Sequence, residues 1–315
     1  MSNVPSVRSA PPVLSTFCHA DFDLRGLLAA KDDHIVSVCL PARDEAATVG
    51  AIVQCVSDDL VRGCGLVDEI VVVDDHSSDA TAEVAAAAGA RVIAAADVLP
   101  EHGDGHGKGA AMWKSLAEAE GDVIVWCDAD VIGFEPHFVT GLLGPLLTQP
   151  GIGFVKGYYE RPAPESGDRG GRVTELVARP MLSLLFPHLR SVIQPLAGEY
   201  AGHRALLKRL PFVEGYGVDI ALLIDIAERF GTDVIAQADL GIRIHRNRPL
   251  DELSPQATAV IQTMLSRAGV SVPPATLYRP DLEPIDLEMV ERPPLARVRN
   301  QASVTARQHS LGSAV

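Results

Sequence analysis

Four short apolar runs that alternate with stretches of helical spacing constrain this chain more than any other feature. The runs are HIVSVCLP (34–41), DEIVVVDD (68–75), RVIAA (91–95) and DVIVWCDAD (122–130). Between them lie RDEAATVGAIVQCVSDDLV (43–61), SSDATAEVAAAAGA (77–90) and, after a glycine-rich loop, GAAMWKSLAEAEG (109–121). The second of these begins with N-cap residues and closes on a glycine, as helices do. Strand–helix alternation of this kind predicts βαβ units and an α/β fold with a doubly wound, mainly parallel sheet. Ligands in such sheets sit at the carboxyl ends of the strands. Here those ends read PARDE, DDHSS and DAD, and all three are polar or charged.

The second half alternates less cleanly. GIGFVKGYYE (151–160) reads as a strand, and RPAPESGDRGG (161–171) as a loop. RVTELVARPMLSLLF (172–186) is helix-like, but Pro180 should kink or end it. SVIQPLAGEYAGHR (191–204) is mixed, GVDIALLIDIAERFG (217–231) is a helix, and TDVIAQADLG (232–241) is a strand. A further helix fits 254–268. Residues 1–33 read as an extension with one short helix, and the proline-rich tail 269–315 as partly disordered.

Composition excludes several function classes. Of 315 residues 47% are hydrophobic and 22% charged, a globular balance with enough apolar material for a large core. The formal net charge of -14 makes a poor general nucleic-acid binder. Five cysteines without a CxxC pair argue against a disulfide framework or a zinc site, and for the cytoplasm. Cys39 and Cys127 fall in strand-like runs and read as small buried hydrophobes. No apolar run reaches membrane-spanning length, and the first residues lack the apolar core of a signal peptide.

Asp128 and Asp130 pose the chemical question. Two carboxylates at the end of a buried strand repel each other and are costly to desolvate. A divalent cation removes both objections, since Mg2+ is commonly held by one or two carboxylates plus substrate phosphates. Helix capping is the bland alternative. In PARDE, Pro41 and Ala42 could shape a backbone cradle for a base, with Glu45 accepting from a ribose hydroxyl; Asp44 or Glu45 could equally cap the next helix. Asp74 could contact a base or sugar, and Ser77 to Asp79 could be plain caps. In HGKG, the glycines let the backbone approach a ligand, and Lys108 can meet a diphosphate or ribose. Arg172 follows Gly170 and Gly171 and opens a helix, a good place for an anion.

LPARDEAATVG, VVVDDHSSDAT, GKGAAMWKSL and DAD, in that order, resemble the GT-A glycosyltransferases of the family-two type, which use nucleotide-diphosphate sugars. GGRVTELVARP, QPLAGEYAGHR, GYGVDIALLIDI and IRIHRNRPLDEL narrow the resemblance to the glucosyl-3-phosphoglycerate synthase family, over roughly 35–268. The resemblance implies retaining transfer of glucose from UDP-glucose to the 2-hydroxyl of 3-phosphoglycerate, with Mg2+ or Mn2+. It divides the chain into a nucleotide-sugar half (34–150) and an acceptor-binding half (151–268). It implies that Asp130 and His245 bind the metal, and that Asp128, Ala129, Arg43, Asp75 and Lys108 join Pro41, Ala42 and Glu45 around the nucleotide. Gly171, Arg172, Val173 and Thr174 would hold the acceptor's phosphate or carboxylate, with Tyr216, Gly217 and Arg248 beside them. Asp219 would stand near the acceptor hydroxyl as the catalytic carboxylate with Asp130. Many members are homodimers, and the apolar faces of the second half would permit that here.

This chain departs from the family pattern at two places. The motif GYGVE ends here in Asp219, one methylene shorter, which alters its reach. Asp75 stands where a small polar residue is expected near the base, which bears on UDP against GDP. The alternatives are mannosyl transfer from GDP-mannose, a polyprenyl-phosphate glycosyltransferase, which should carry a membrane anchor, and a sugar-phosphate nucleotidyltransferase. The last should open with a glycine-rich basic loop after the first strand, where this chain has PARDE.

Overall fold

The structure, a computed structural model, describes residues 13–161, 171–244, 250–280 and 282–298. In chain order, β1 (Ser15–Cys18) and α1 (Leu24–Lys31) precede β2 (Val36–Ala42), and α2 (Val49–Cys55) leads to β3 (Glu69–Asp74). Then come α3 (Thr81–Ala87), β4 (Arg91–Ala94), α4 (Lys108–Glu118), β5 (Val123–Trp126) and α5 (His137–Thr148). β6 (Phe154–Glu160), α6 (Arg179–Leu185), β7 (Tyr200–His203), α7 (Arg204–Leu207) and β8 (Phe212–Val213) follow. α8 (Val218–Phe230), β9 (Ile235–Ile242), α9 (Leu250–Arg267), β10 (Ala275–Arg279), β11 (Leu282–Leu287) and β12 (Glu291–Arg292) complete the order.

Eight strands form the main sheet, in the order β1-β9-β6-β7-β5-β2-β3-β4. β7 runs antiparallel to both its neighbours, β5 and β6, and the other pairings are parallel. The apolar runs explain why the sheet is covered on both faces. Val36, Val38 and Leu40 of β2 enter one core layer with Ile70 and Val72 of β3 and Val123 and Val125 of β5. Cys39, Val71, Val73, Ile124 and Trp126 enter the other, with Trp113, Phe212 and Ile220. Each fully buried large apolar side chain contributes roughly 1.5–3 kcal/mol. Cys39 and Cys127 are buried as expected, and burial pushes the Cys39 thiol up to about 12, so it stays an inert hydrophobe.

Three elements differ from the sequence reading. The N-terminal extension is part of the sheet: β1 pairs in parallel with β9 at its edge. The tail expected to be partly disordered carries the β10–β11 hairpin, and β12 pairs with β8. Pro180 neither ends nor breaks its helix. A π-helix over Thr174–Ala178 runs directly into α6, and Pro180, whose N–H is missing, falls where the wider π turns give way to α-helix.

Candidate active site

β3 and β4 lie to one side of β2, and β5 lies on its other side. The carboxyl ends of β2 and β5 therefore meet at the switch point where open α/β sheets bind ligands. The last β5 residue, Trp126, stands opposite Cys39, so residues 127–130 run past the sheet beside the end of β2. A cleft of about 610 Å³ opens there. Of the predicted nucleotide and metal residues, Pro41, Ala42, Arg43, Glu45, Asp75, Lys108, Asp128, Ala129 and Asp130 line it. So do Gly171, Arg172, Val173, Thr174, Tyr216 and Asp219 from the second half. Gly217 is buried outside the lining, where a Cβ would run into the Thr263 hydroxyl. Asp75 lines the cleft and Asp74 does not. His245 and Arg248 lie outside the described residues. Ile244, however, pairs with Ile132 in an antiparallel bridge, which brings the chain before His245 beside the segment after Asp130.

The two aspartates are held by cations that the sequence reading did not assign to them. Arg243 Nη2 donates to Asp128 Oδ2 at 3.1 Å and to Asp130 Oδ1 at 2.7 Å. Its Nη1 donates to the Tyr159 hydroxyl at 2.6 Å and stands 3.1 Å from the wholly buried Glu199. Lys108 Nζ lies 2.8 Å from Asp128 and 3.1 Å from Asp219. The Tyr200 hydroxyl donates to Asp219 Oδ1 at 3.0 Å. Burial alone would raise the Asp128 carboxyl, but Lys108 and Arg243 outweigh it and hold Asp128 well below the usual carboxylate range. Burial also lifts Tyr200 well above the ordinary phenol, so it stays a donor. Glu199 is raised by burial against the pull of Arg243. Gly198 makes the approach possible, because a Cβ there would strike the Asp128 carboxylate.

The loops after β2 and β3 are laced together. Asp44, at φ +56°, accepts from the Ser78 backbone N–H at 2.7 Å, and the Ser77 hydroxyl accepts from the Asp44 N–H at 3.0 Å. Asp79 accepts from the Ala46 and Thr81 N–H groups, so Asp79 meets the first N–H of α3 while Ser77 and Ser78 tie the two loops together. Thr48 is the N-cap of α2 and makes no side-chain cap bond. The Thr48 hydroxyl donates instead to the Ala129 carbonyl at 2.6 Å and ties the PARDE loop to the DAD loop. Arg161 joins Arg172 in the lining, and its guanidinium donates at 3.1 Å to the same Tyr159 hydroxyl that Arg243 reaches. α9 closes the cleft with Leu253, Gln256 and Val260.

Arg243, Glu199, Tyr159, Tyr200 and Arg161 were all missed from sequence. One signal was available: Arg243 stands two residues before His245, in the run that drew attention to that histidine. Residues 37–212 match the model of glycosyl transferase family 2. The chain belongs to this family. Among its glycosyl transferase relatives, the glucosyl-3-phosphoglycerate synthase of Mycolicibacterium smegmatis is 48% identical over 284 residues, 87% of this chain and 93% of the relative. A crystal structure of the Mycobacterium tuberculosis glucosyl-3-phosphoglycerate synthase, in complex with Mn2+, UDP-glucose and phosphoglyceric acid, superposes with TM-score 0.84 at 46% identity. That match covers 92% of this chain and 100% of the other. The same enzyme in complex with Mg2+ and UDP superposes with TM-score 0.83 at 46% identity, over 91% of this chain and all of the other.

Proposed function

We propose that this chain is a metal-dependent retaining glucosyltransferase that moves glucose from UDP-glucose to the 2-hydroxyl of 3-phosphoglycerate. One observation carries the reading: a single cleft joins the acidic DAD loop and Lys108 to two further cations in its lining, Arg161 and Arg172. That suits a metal–diphosphate donor beside a small acceptor with two anionic groups. The relatives' names and complexes support the same pair of substrates.

The donor set fits a hard divalent ion. Asp128, Asp130 and Asp219 line the cleft with Lys108 and Arg243, and Glu199 and Lys156 are buried outside the lining. Asp130, whose side chain is 35% exposed, would hold the metal, with His245 as its second protein ligand. When bound, the metal neutralises charge that develops on the departing diphosphate. Lys108, fixed between Asp128 and Asp219, adds a positive charge there without reorganising. Pro41, Ala42, Arg43, Glu45, Asp75 and Ala129 frame the nucleotide, and Gly171 to Thr174 with Tyr216 and Arg248 hold the acceptor, while the buried Gly217 shapes the turn that carries Tyr216. Asp219 is engaged by Lys108 and Tyr200, which lowers its nucleophilicity and favours front-face attack over a covalent route.

The test offers UDP-glucose, GDP-glucose and GDP-mannose with 3-phosphoglycerate and Mg2+ or Mn2+, and identifies products by mass and NMR. Glucosyl-3-phosphoglycerate from UDP-glucose, abolished by EDTA and reduced about 100-fold or more by Asp130→Ala, is the expected result. Preference for GDP-mannose would move the reading to the sister activity. We also expect a cytoplasmic homodimer. All five cysteines are free. Leu176 and Leu250, the first residue of α9, are exposed and apolar, as a subunit contact would require. Light scattering should give twice the 33.4 kDa chain mass. Among the described residues no helix is long and apolar enough to cross a membrane.

A further inference from the structure

We infer that Asp75, His76 and His106 form a second cation site, built for a transition-metal dication such as Zn2+ and separate from Asp130. Their ligand atoms lie within 4.8 Å of one another. The buried Asp75 accepts from the Gly107 N–H through Oδ2 at 2.7 Å, which turns Oδ1 toward His76 Nδ1 at 3.1 Å. The His76 and His106 rings stand 4.4 Å apart, centroid to centroid. Two imidazoles and one carboxylate suit zinc, nickel or cobalt rather than Mg2+, which prefers oxygen ligands. Ligand atoms around zinc stand roughly 3.3 Å apart, given bonds of about 2.0–2.1 Å. Asp75 and His76 already stand at about that spacing, and the exposed His106 side chain can rotate toward them.

The backbone on both sides is already fixed. His76 sits at φ +61° in the loop tied down by Asp44, and Gly107 at φ +83° opens α4. The His106 N–H donates to Glu214 at 3.4 Å. Asp75 also lines the cleft, so an ion here changes the charge at its edge. By linkage, whatever factor the ion changes nucleotide affinity by, the nucleotide changes the ion's affinity by the same factor.

The test is calorimetric titration of the full chain with Zn2+ in saturating Mg2+, with Co2+ absorption as a second readout. Binding of roughly one equivalent is expected, weakened about tenfold or more by His76→Gln and by His106→Gln, and kept in Asp130→Ala. Melting curves confirm that each variant folds. No binding, binding that survives both histidine variants, or binding lost in Asp130→Ala would overturn the inference. None of these outcomes depends on which sugar or acceptor the enzyme uses.

Discussion

Lys156 is a buried cation with little compensation. It is 1% exposed, its Nζ has no hydrogen-bond partner among the described residues, and it stands 4.2 Å above the Tyr200 ring. Burial lowers it to about 8, against the attraction of Asp219. The unfolded chain keeps that proton up to 10.5, while the folded chain keeps it only up to about 8. Folding is therefore penalised below 8, by on the order of 3 kcal/mol, and the penalty fades as pH rises toward 10.5. Lys156→Met should raise the melting temperature at neutral pH, and calorimetry at rising pH should find the gain shrinking; a constant gain would refute this. At the same scale, Gly198→Ala is expected to push Asp128 off Lys108 and Arg243. Turnover should fall about 100-fold, and stability by roughly 1–3 kcal/mol, measured by kinetics and urea unfolding. Asp128, Asp130 and Lys108 were legible because each sits in a short motif at an element's end. Glu199 was not, because nothing local marks it, and Arg243 had only its neighbour His245 as a signal, since the aspartates it holds lie more than a hundred positions away.

At the scale of elements, α5 is the instructive case. Residues 131–150 received no element from the sequence, and His137–Thr148 is a helix. Gly141, Gly144 and Pro145 lie inside it, all poor helix formers. Packing overrides propensity. A Cβ on Gly144 would run into the Phe22 ring, and one on Gly141 would come within 2.8 Å of His19 and Leu240. The glycines let α5 lie close to the N-terminal segment and β9. Gly144→Ala therefore tests two opposed effects. Propensity alone predicts a gain of about 0.5–1 kcal/mol, and overpacking predicts a loss of about 1–3 kcal/mol. The loss should win in urea unfolding, and Phe22→Leu in the same chain should recover part of it.

At the scale of the whole molecule, the last described residues brace the cleft from behind. β12 pairs with β8 just before the Gly215–Gly217 turn, Trp113 donates to the Pro293 carbonyl at 2.7 Å, and Leu295 and Val298 are buried. Ending the chain after Val290 should lower the melting temperature and weaken substrate binding together, measured by calorimetry and KM. Unchanged values would mean that the bracing is idle. By itself the sequence determined the parallel α/β class, the order of the first four predicted strands, and the placing of polar chemistry at their carboxyl ends. It could do so because burial on a strand or helix repeats every two or three to four residues and is written locally. Only the tertiary structure decided that β7 enters antiparallel between β5 and β6, that β1 closes the far edge, and that Arg243, Glu199 and Tyr200 converge on the aspartates. Those outcomes depend on which strand edges meet and which charges can be desolvated together, and neither leaves a period in the chain.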